Sequence, residues 1–408
     1  MTNEKTPAET TPAGAKPAGR WKKPLTIVLV VILALVGTLY AATAAIGVPF
    51  PHELYRLQTT APSQQGTVFP TRPVVNTGAV REWEAAAGLS LPATVPWKGG
   101  EVPVADMLGK TNSRAFVVVQ DGKLVDEWYA DGVTADSRLS SWSVAKSVIS
   151  LMIGQAIERG DLSETDKMVD ILPEFRTGGG DYDEITVRDL LDMASGIDVS
   201  ENYNPWWPLN GTARLLLSTD LPGYLMKHRA VSFTPGEKAV YRSVDTQMLG
   251  MILAKVNGEP VARVVSEGLW TPMGAEAEAE WNLDTENGTE KSFCCLNATA
   301  RDFARIGQTV ASGGMVDGKQ VISPEWITRI STPSNLPMNA DWGYSAQWWH
   351  PAPLGHNDFT ALGVYGQYIY INPDTRTVIV KLSDHGTEQD ELDTIGAMRA
   401  ISEHLGKK

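Results

Sequence analysis

The sequence predicts an α/β protein of the α+β kind. An antiparallel sheet is built from both ends of one globular domain and flanked by terminal helices, an all-helical subdomain is inserted between them, and one N-terminal transmembrane helix precedes the whole. Three observations predict it. Strand and turn patterns lie at 115–128 and again at 366–382, the stretch between them is dominated by helical patterns, and an uncharged run covers 25–50.

Taken in order, residues 1–19 are rich in Thr, Pro, Ala and Gly with no apolar period, and 1–23 is read as a disordered cytoplasmic tail. Arg20, Lys22 and Lys23 then introduce the uncharged run. At about 1.5 Å per residue that run spans a hydrocarbon layer of about 30 Å, which gives a transmembrane helix over 24–48. Basic residues before it and none just after orient the N-terminus to the cytoplasm and the rest of the chain outside. A cleaved signal peptide is the alternative, because Ala42-Thr43-Ala44 suits a signal peptidase; the long leader before Lys23 argues against it, and both readings export the domain.

Residues 49–80 carry Pro62, Pro70 and Pro73 and read as an extracytoplasmic linker, a stalk or a strap across the domain, which is expected over 81–406. Two strand patterns joined at Asp121-Gly122 give the first hairpin, and two joined at Asn372-Pro373-Asp374 give the second. Helical patterns fall at 143–158, 187–194, 213–218, 246–256, 261–267, 298–311 and 324–330, with a final helix at 388–405.

With 408 residues, 43% of them hydrophobic, the chain can bury a large core. A net charge of −13 with no basic cluster beyond the membrane-proximal one excludes a nucleic-acid partner. Cys294 and Cys295 are adjacent. Their Cα atoms are about 3.8 Å apart across a trans peptide, below the usual disulfide range, so two packed thiols are expected in preference to a vicinal disulfide or a metal site.

The chemistry centres on Ser143-Val144-Ala145-Lys146, which opens the apolar helix at 143–158. Residues three apart share a helix face, so a hydroxyl nucleophile and a possible base would meet there. A lysine accepts a serine proton only if desolvation leaves it neutral, and a buried helix face provides that. Aromatic residues suited to an apolar substrate wall are Tyr203, Trp206 and Trp207, then Trp342, Tyr344, Trp348 and Trp349, then Tyr365; the competing reading for each is a core anchor.

Other hydrolytic sites lack their residues. Gly343-Tyr344-Ser345-Ala346 is followed by Gln347 and so misses the Gly-x-Ser-x-Gly elbow, and no paired-histidine zinc motif is present, so no metal or cofactor is implied. His385 beside Asp384 is read as structural because Lys146 already supplies a base, and Asp384 and Asp189 are read as caps.

Ser143 to Lys146, followed by Tyr241-Arg242-Ser243, with Ile185-Thr186-Val187-Arg188-Asp189-Leu190-Leu191 and Ala194-Ser195-Gly196 between, resembles the serine β-lactamase and penicillin-binding-protein superfamily. Phe293-Cys294, the stretch 299–307 and Gly366-Gln367-Tyr368 make it similar to the class C-related hydrolases and esterases, and within them to the 6-aminohexanoate-dimer hydrolase group. The resemblance implies a β-lactamase/transpeptidase-like fold and an acyl-enzyme on Ser143. Lys146 would be the base, Tyr241 a member of the proton relay, and Ser243 a hydrogen-bond partner of Lys146 or the substrate. It also implies an oxyanion hole from the Ser143 N–H and, by analogy, Val364, on the strand containing Gly363 and Gly366.

One departure bears on substrate. Relatives that bind β-lactams or D-Ala-D-Ala carry Lys-Thr-Gly, or His for that Lys, where this chain has Ala361-Leu362-Gly363. A substrate carboxylate loses its partner there, and the base role moves towards Lys146. The expectation is therefore a membrane-anchored, extracytoplasmic serine hydrolase of a small-molecule ester or linear amide, with Ser243, Val364, Gly363, Trp206, Trp348 and Tyr365 as substrate and oxyanion residues. A D-Ala-D-Ala peptidase or weak β-lactamase, and a non-catalytic cell-envelope scaffold, are the alternatives.

Overall fold

Seven strands form one antiparallel sheet in the order Trp342–Ser345, Trp348–Pro351, Phe359–Gly363, Gln367–Asn372, Thr377–Ser383, Ser113–Gln120 and Lys123–Tyr129. The two hairpins expected from the sequence are its last four strands, joined where Val380 pairs with Val117, so that Lys123–Tyr129 is an edge strand. This computed structural model describes residues 1–2, 22–202, 210–386 and 390–407. The tail at 3–21 and Tyr203, Trp206 and Trp207 lie outside the described residues.

The central strands are buried on both faces, which is why 115–119 reads as a continuous apolar run. Alternate side chains divide between two cores. Phe116, Val118, Tyr368 and Ile379 pack on the C-terminal helix Glu391–Gly406 through Ile395, Met398, Ile401 and Leu405. Val117, Val119, Ile369, Val378 and Val380 face the larger core. On that face lie helices Val144–Glu158 and Ala300–Ala311, and beyond them the helical insertion, including Val187–Leu191 and Ser243–Asn257. Helix Val144–Glu158 is buried from Val144 without a break to Gly154, and its apolar circumference is what a central helix requires.

The sequence pattern did not disclose a second antiparallel sheet of four short strands, ordered Thr71–Val74, Ala279–Asn282, Leu296–Ala298 and Leu139–Ser140. Its last strand delivers the chain directly to Ser143. Where 52–80 reads as loop, the structure has helix Pro51–Thr59, a 3₁₀ turn Pro62–Val68 and the strand Thr71–Val74. Pro51 and Pro62 sit in first turns, where a missing N–H costs nothing.

Ahead of these, helix Lys22–Ile46 contains a stretch, Leu25–Ile46, long and apolar enough to cross a membrane. Leu25, Ile27, Leu33 and Leu35 are all more than 60% exposed, the reverse of the Ser143 helix. The C-terminal end of this helix is fastened to the domain: Arg214 Nη2 donates to Ile46 O at 2.5 Å and Thr219 N–H to Gly47 O at 3.1 Å.

The cysteine expectation is corrected. Cys294 and Cys295 form a vicinal disulfide with Cα atoms 3.7 Å apart. Cys295 adopts a left-handed φ of 75°, a local backbone choice invisible to residue spacing, and the pair is buried at 2% and 4% exposure.

Candidate active site

The chain enters the site through Trp142, which holds a left-handed φ of 46°. For a bulky residue this costs on the order of 1–3 kcal/mol and persists only when surroundings impose it. Here they do: its indole N–H donates to Pro62 O at 3.1 Å, and Tyr365 meets its ring edge-on at 5.0 Å. The turn sets Ser143 at the cap of helix Val144–Glu158, with Lys146 one turn on.

Lys146 is 1% exposed. Its Nζ lies 2.9 Å from Ser143 Oγ, 3.1 Å from Ser243 Oγ and 2.7 Å from Phe293 O. Burial pushes its pKa down to about 8, against the opposing pull of the Glu201 and Asp245 charges. The Tyr241 ring centroid is 5.1 Å from Nζ. Burial, helped by Glu201, raises the Tyr241 pKa well above its ordinary value, against a hydrogen bond with Ser143 that lowers it. Of the two groups, the amine is the one that neutral pH brings close to its basic form.

Strand Phe359–Gly363 ends against the nucleophile candidate. A Cβ on Gly363 would stand 2.8 Å from Ser141 O and 3.1 Å from Ser143 N, so only glycine permits this approach. Val364 and Tyr365 then turn the chain, Tyr365 with φ of 68° and Gly366 with 82°. Gly363 and Tyr365 are thus brought to Ser143 and Trp142, with Val364 between them. Gln367 Nε2 donates to Val364 O at 3.3 Å, which fixes the orientation of this turn.

Trp348 is not at the site. It is fully buried and packs against Phe359 at 5.4 Å in the main core. Its neighbour Trp349, on the opposite face of the strand, lies 5.1 Å from the Tyr241 ring and 5.0 Å from Tyr344. The two-residue period of a strand makes this one-position distinction decisive. Trp206 lies outside the described residues.

Three groups near Lys146 escaped the sequence. Glu201 accepts from Ser243 N–H and Ser243 Oγ at 2.8 Å each and from Thr212 Oγ1 at 2.6 Å. Asp245, fully buried, accepts from Ser195 Oγ at 2.5 Å, and burial pushes its pKa up to about 8. Phe293 contributes its carbonyl, which has no side-chain signature, and its ring centroid lies 5.7 Å from Nζ. Glu201 is 42 positions from Ser243, so no local spacing announces it.

Asp189, Asp384 and His385 make structural contacts. Asp189 forms a capping box with Thr186. Asp384 accepts from Ser63 N–H at 2.6 Å and Ser63 Oγ at 3.1 Å, tying the N-terminal strap to the sheet, and His385 pairs with Asp390 at 2.7 Å. Arg242, between Tyr241 and Ser243, donates to Ile197 O and to Ser232 Oγ, the latter at 2.9 Å, and so ties this turn to the loop after Ser195.

Comparison with known proteins agrees with this architecture. The profile of the Beta-lactamase family matches residues 105–402. A 6-aminohexanoate-dimer hydrolase of Paenarthrobacter ureafaciens is 27% identical over 348 residues, covering 80% of this chain and 82% of the relative. A structure from Bacillus anthracis, assigned as a 6-aminohexanoate-dimer hydrolase, superposes with a TM-score of 0.75 at 25% identity over 88% of this chain and 95% of that one. A D-alanine carboxypeptidase from Burkholderia cenocepacia shares the fold, with a TM-score of 0.57 at 19% identity over 74% of this chain and 96% of its own. The chain belongs to the beta-lactamase family and is a serine hydrolase of that superfamily, with a mixed helix and sheet fold of the β-lactamase/transpeptidase type.

Proposed function

We propose that this hydrolase is a membrane-anchored, extracytoplasmic enzyme that cleaves a small-molecule ester or linear amide through an acyl-enzyme on Ser143. The observation that carries the proposal is the buried Lys146 amine 2.9 Å from Ser143 Oγ, its pKa pushed down to about 8. In its neutral form Nζ takes the Ser143 proton as Oγ attacks the substrate carbonyl carbon. The oxyanion that forms is held by the Ser143 N–H at its helix start and by the Val364 N–H. Tyr241, a neutral phenol, gives its proton to the departing amine or alcohol, the lysine resupplies it, and the reverse transfers activate the water that releases the acid.

Substrate choice follows from what lines the strand edge. Ala361 and Leu362 bring no cation to a substrate carboxylate, whereas Trp349 and Tyr365 offer aromatic surface for an alkyl chain. The Paenarthrobacter relative, a hydrolase of the 6-aminohexanoate dimer, points the same way. Export is supported by Arg20, Lys22 and Lys23 ahead of the apolar helix, and by a disulfide of the kind that persists in oxidising compartments.

The test is turnover by the full chain in detergent micelles of four substrates: a chromogenic short-chain ester, the 6-aminohexanoate dimer, a D-Ala-D-Ala peptide and a cephalosporin. The ester or the linear amide is expected to exceed the other two in kcat/KM by about tenfold or more. A preference for the D-Ala-D-Ala peptide would replace this reading with a cell-wall peptidase.

A further inference from the structure

We propose that Glu201 is a positioning residue that aims the lone pair of neutral Lys146 at Ser143 by fixing the direction of the Ser243 hydroxyl. The inference rests on the Ser143 and Lys146 reading above and adds a residue to it. It follows from counting protons along one chain of contacts: Ser143 Oγ to Lys146 Nζ at 2.9 Å, Nζ to Ser243 Oγ at 3.1 Å, Ser243 Oγ to Glu201 Oε1 at 2.8 Å.

A neutral amine on a saturated carbon has two N–H bonds and one lone pair. Phe293 O, 2.7 Å from Nζ, can only accept, so it takes one N–H. Ser243 Oγ has a single proton, and a carboxylate oxygen can only accept, so that proton points to Glu201. Ser243 Oγ must then accept from Lys146 and takes the second N–H. The lone pair is left for Ser143, whose hydroxyl proton is the one to be removed.

If Glu201 were absent, the Ser243 hydroxyl would be able to rotate and donate into Nζ, occupying the lone pair that Ser143 needs. Glu201 is itself held in register, since its second oxygen accepts from Ser243 N–H at 2.8 Å and Thr212 Oγ1 at 2.6 Å. One carboxylate therefore fixes both the start of helix Ser243–Asn257 and the proton direction at its first residue.

The same charge works against basicity. Among the described residues, Glu201 and Asp245 are the acids that raise the Lys146 pKa while burial lowers it, and the Tyr241 phenol also faces the amine. Removing the Glu201 charge should make Lys146 neutral at lower pH and yet make it a worse base. A residue that only supported the fold would not separate these two effects.

The experiment uses the full chain in detergent micelles and reads the second-order rate of Ser143 modification by a fluorophosphonate from pH 5 to 10, in which Oγ bonds to phosphorus and fluoride departs. Glu201→Gln and Glu201→Ala are expected to move the acid limb down by about half a unit or more and to lower the high-pH plateau about tenfold. In a Ser243→Ala background, where no hydroxyl can intrude, Glu201→Ala should still move the limb but change the plateau by less than about twofold.

An equal plateau loss in both backgrounds, or a plateau loss with no movement of the limb, would overturn the proposal; near-UV circular dichroism identifies a variant that has merely unfolded, and the Gln variant, nearly isosteric, then decides. Failure of the underlying reading looks different: Lys146→Ala would then label as fast as the parent protein.

Discussion

Three lysines among the described residues are buried alike, Lys146, Lys291 and Lys381, and the first two differ most in what matters for chemistry. Lys146 and Lys291 each have almost no exposed surface, and burial lowers both pKa values, to about 8 and about 7. Lys291 donates to Leu216 O at 2.8 Å and Ser218 O at 3.1 Å, and its third neighbour is the Phe69 ring, 4.9 Å away at its centroid. Carbonyls and a ring face have no proton to give. Lys146 has one carbonyl and two hydroxyls, and one hydroxyl, Ser143, sits at the end of the strand Phe359–Gly363. A depressed pKa is thus a property of burial, and a buried amine becomes a base only when a proton donor lies within its reach.

Deleting each amine separates the two most directly. Lys146→Ala should lower kcat/KM for the preferred substrate about 10³-fold, within the range of general-base contributions. Loss of less than about tenfold would make Lys146 a packing residue like Lys291.

Lys291→Met should do the converse. It leaves two buried carbonyls without a donor, which costs about 2 kcal/mol, while kcat/KM stays within about threefold of the parent. Its pH dependence has a definite sign. The unfolded chain binds a proton to Lys291 up to the ordinary lysine value of 10.5, whereas the folded chain has released it by about pH 7. Stability therefore rises with pH between those values, and urea midpoints at pH 7 and 9.5 should differ less in Lys291→Met than in the parent. An unchanged slope would show that Lys291 does not titrate in this way.

The smallest effect sharpens the same distinction among aromatics. Trp349→Ala removes a ring that lies 5.1 Å from Tyr241, and should raise KM several-fold with kcat less affected. A fall in kcat alone, with KM unmoved, would assign Trp349 to supporting Tyr241 instead of substrate.

How much of this was legible in the sequence depends on distance along the chain. Ser143 and Lys146 are three apart on one helix, and the two hairpins are local patterns with turns, so both were readable from spacing. Tyr241 and Ser243 came through resemblance alone, because nothing in their own neighbourhood links them to Ser143. Glu201 and Phe293 O were not readable at all: each reaches the site across the fold, the carbonyl from 147 positions away. The four-stranded sheet escaped for a related reason. Its strands are two to four residues long and come from four separate parts of the chain, and Pro73 in the first of them signals loop unless the partner strand Ala279–Asn282 is known. Trp348 and Trp349 could not be told apart, because periodicity gives two faces without saying which one meets Tyr241.

The N-terminal segments show the same limit from the other direction. The exposed apolar helix was plain from composition, but the contacts that make 51–74 part of the domain were not. Pro62 O under Trp142 and Ser63 against Asp384 are tertiary facts. They place the strap behind the residue that precedes Ser143.

The central claim is that Ser143 is activated by a neutral Lys146, and the most direct measurement is the rate at which a fluorophosphonate modifies the parent protein as a function of pH, with the adduct located by mass spectrometry. Activation by Lys146 predicts a single adduct on Ser143 whose rate rises about tenfold per pH unit at low pH and levels off near the Lys146 value of about 8. No adduct on Ser143 in the folded protein, or a rate independent of pH from 5 to 10, would contradict it.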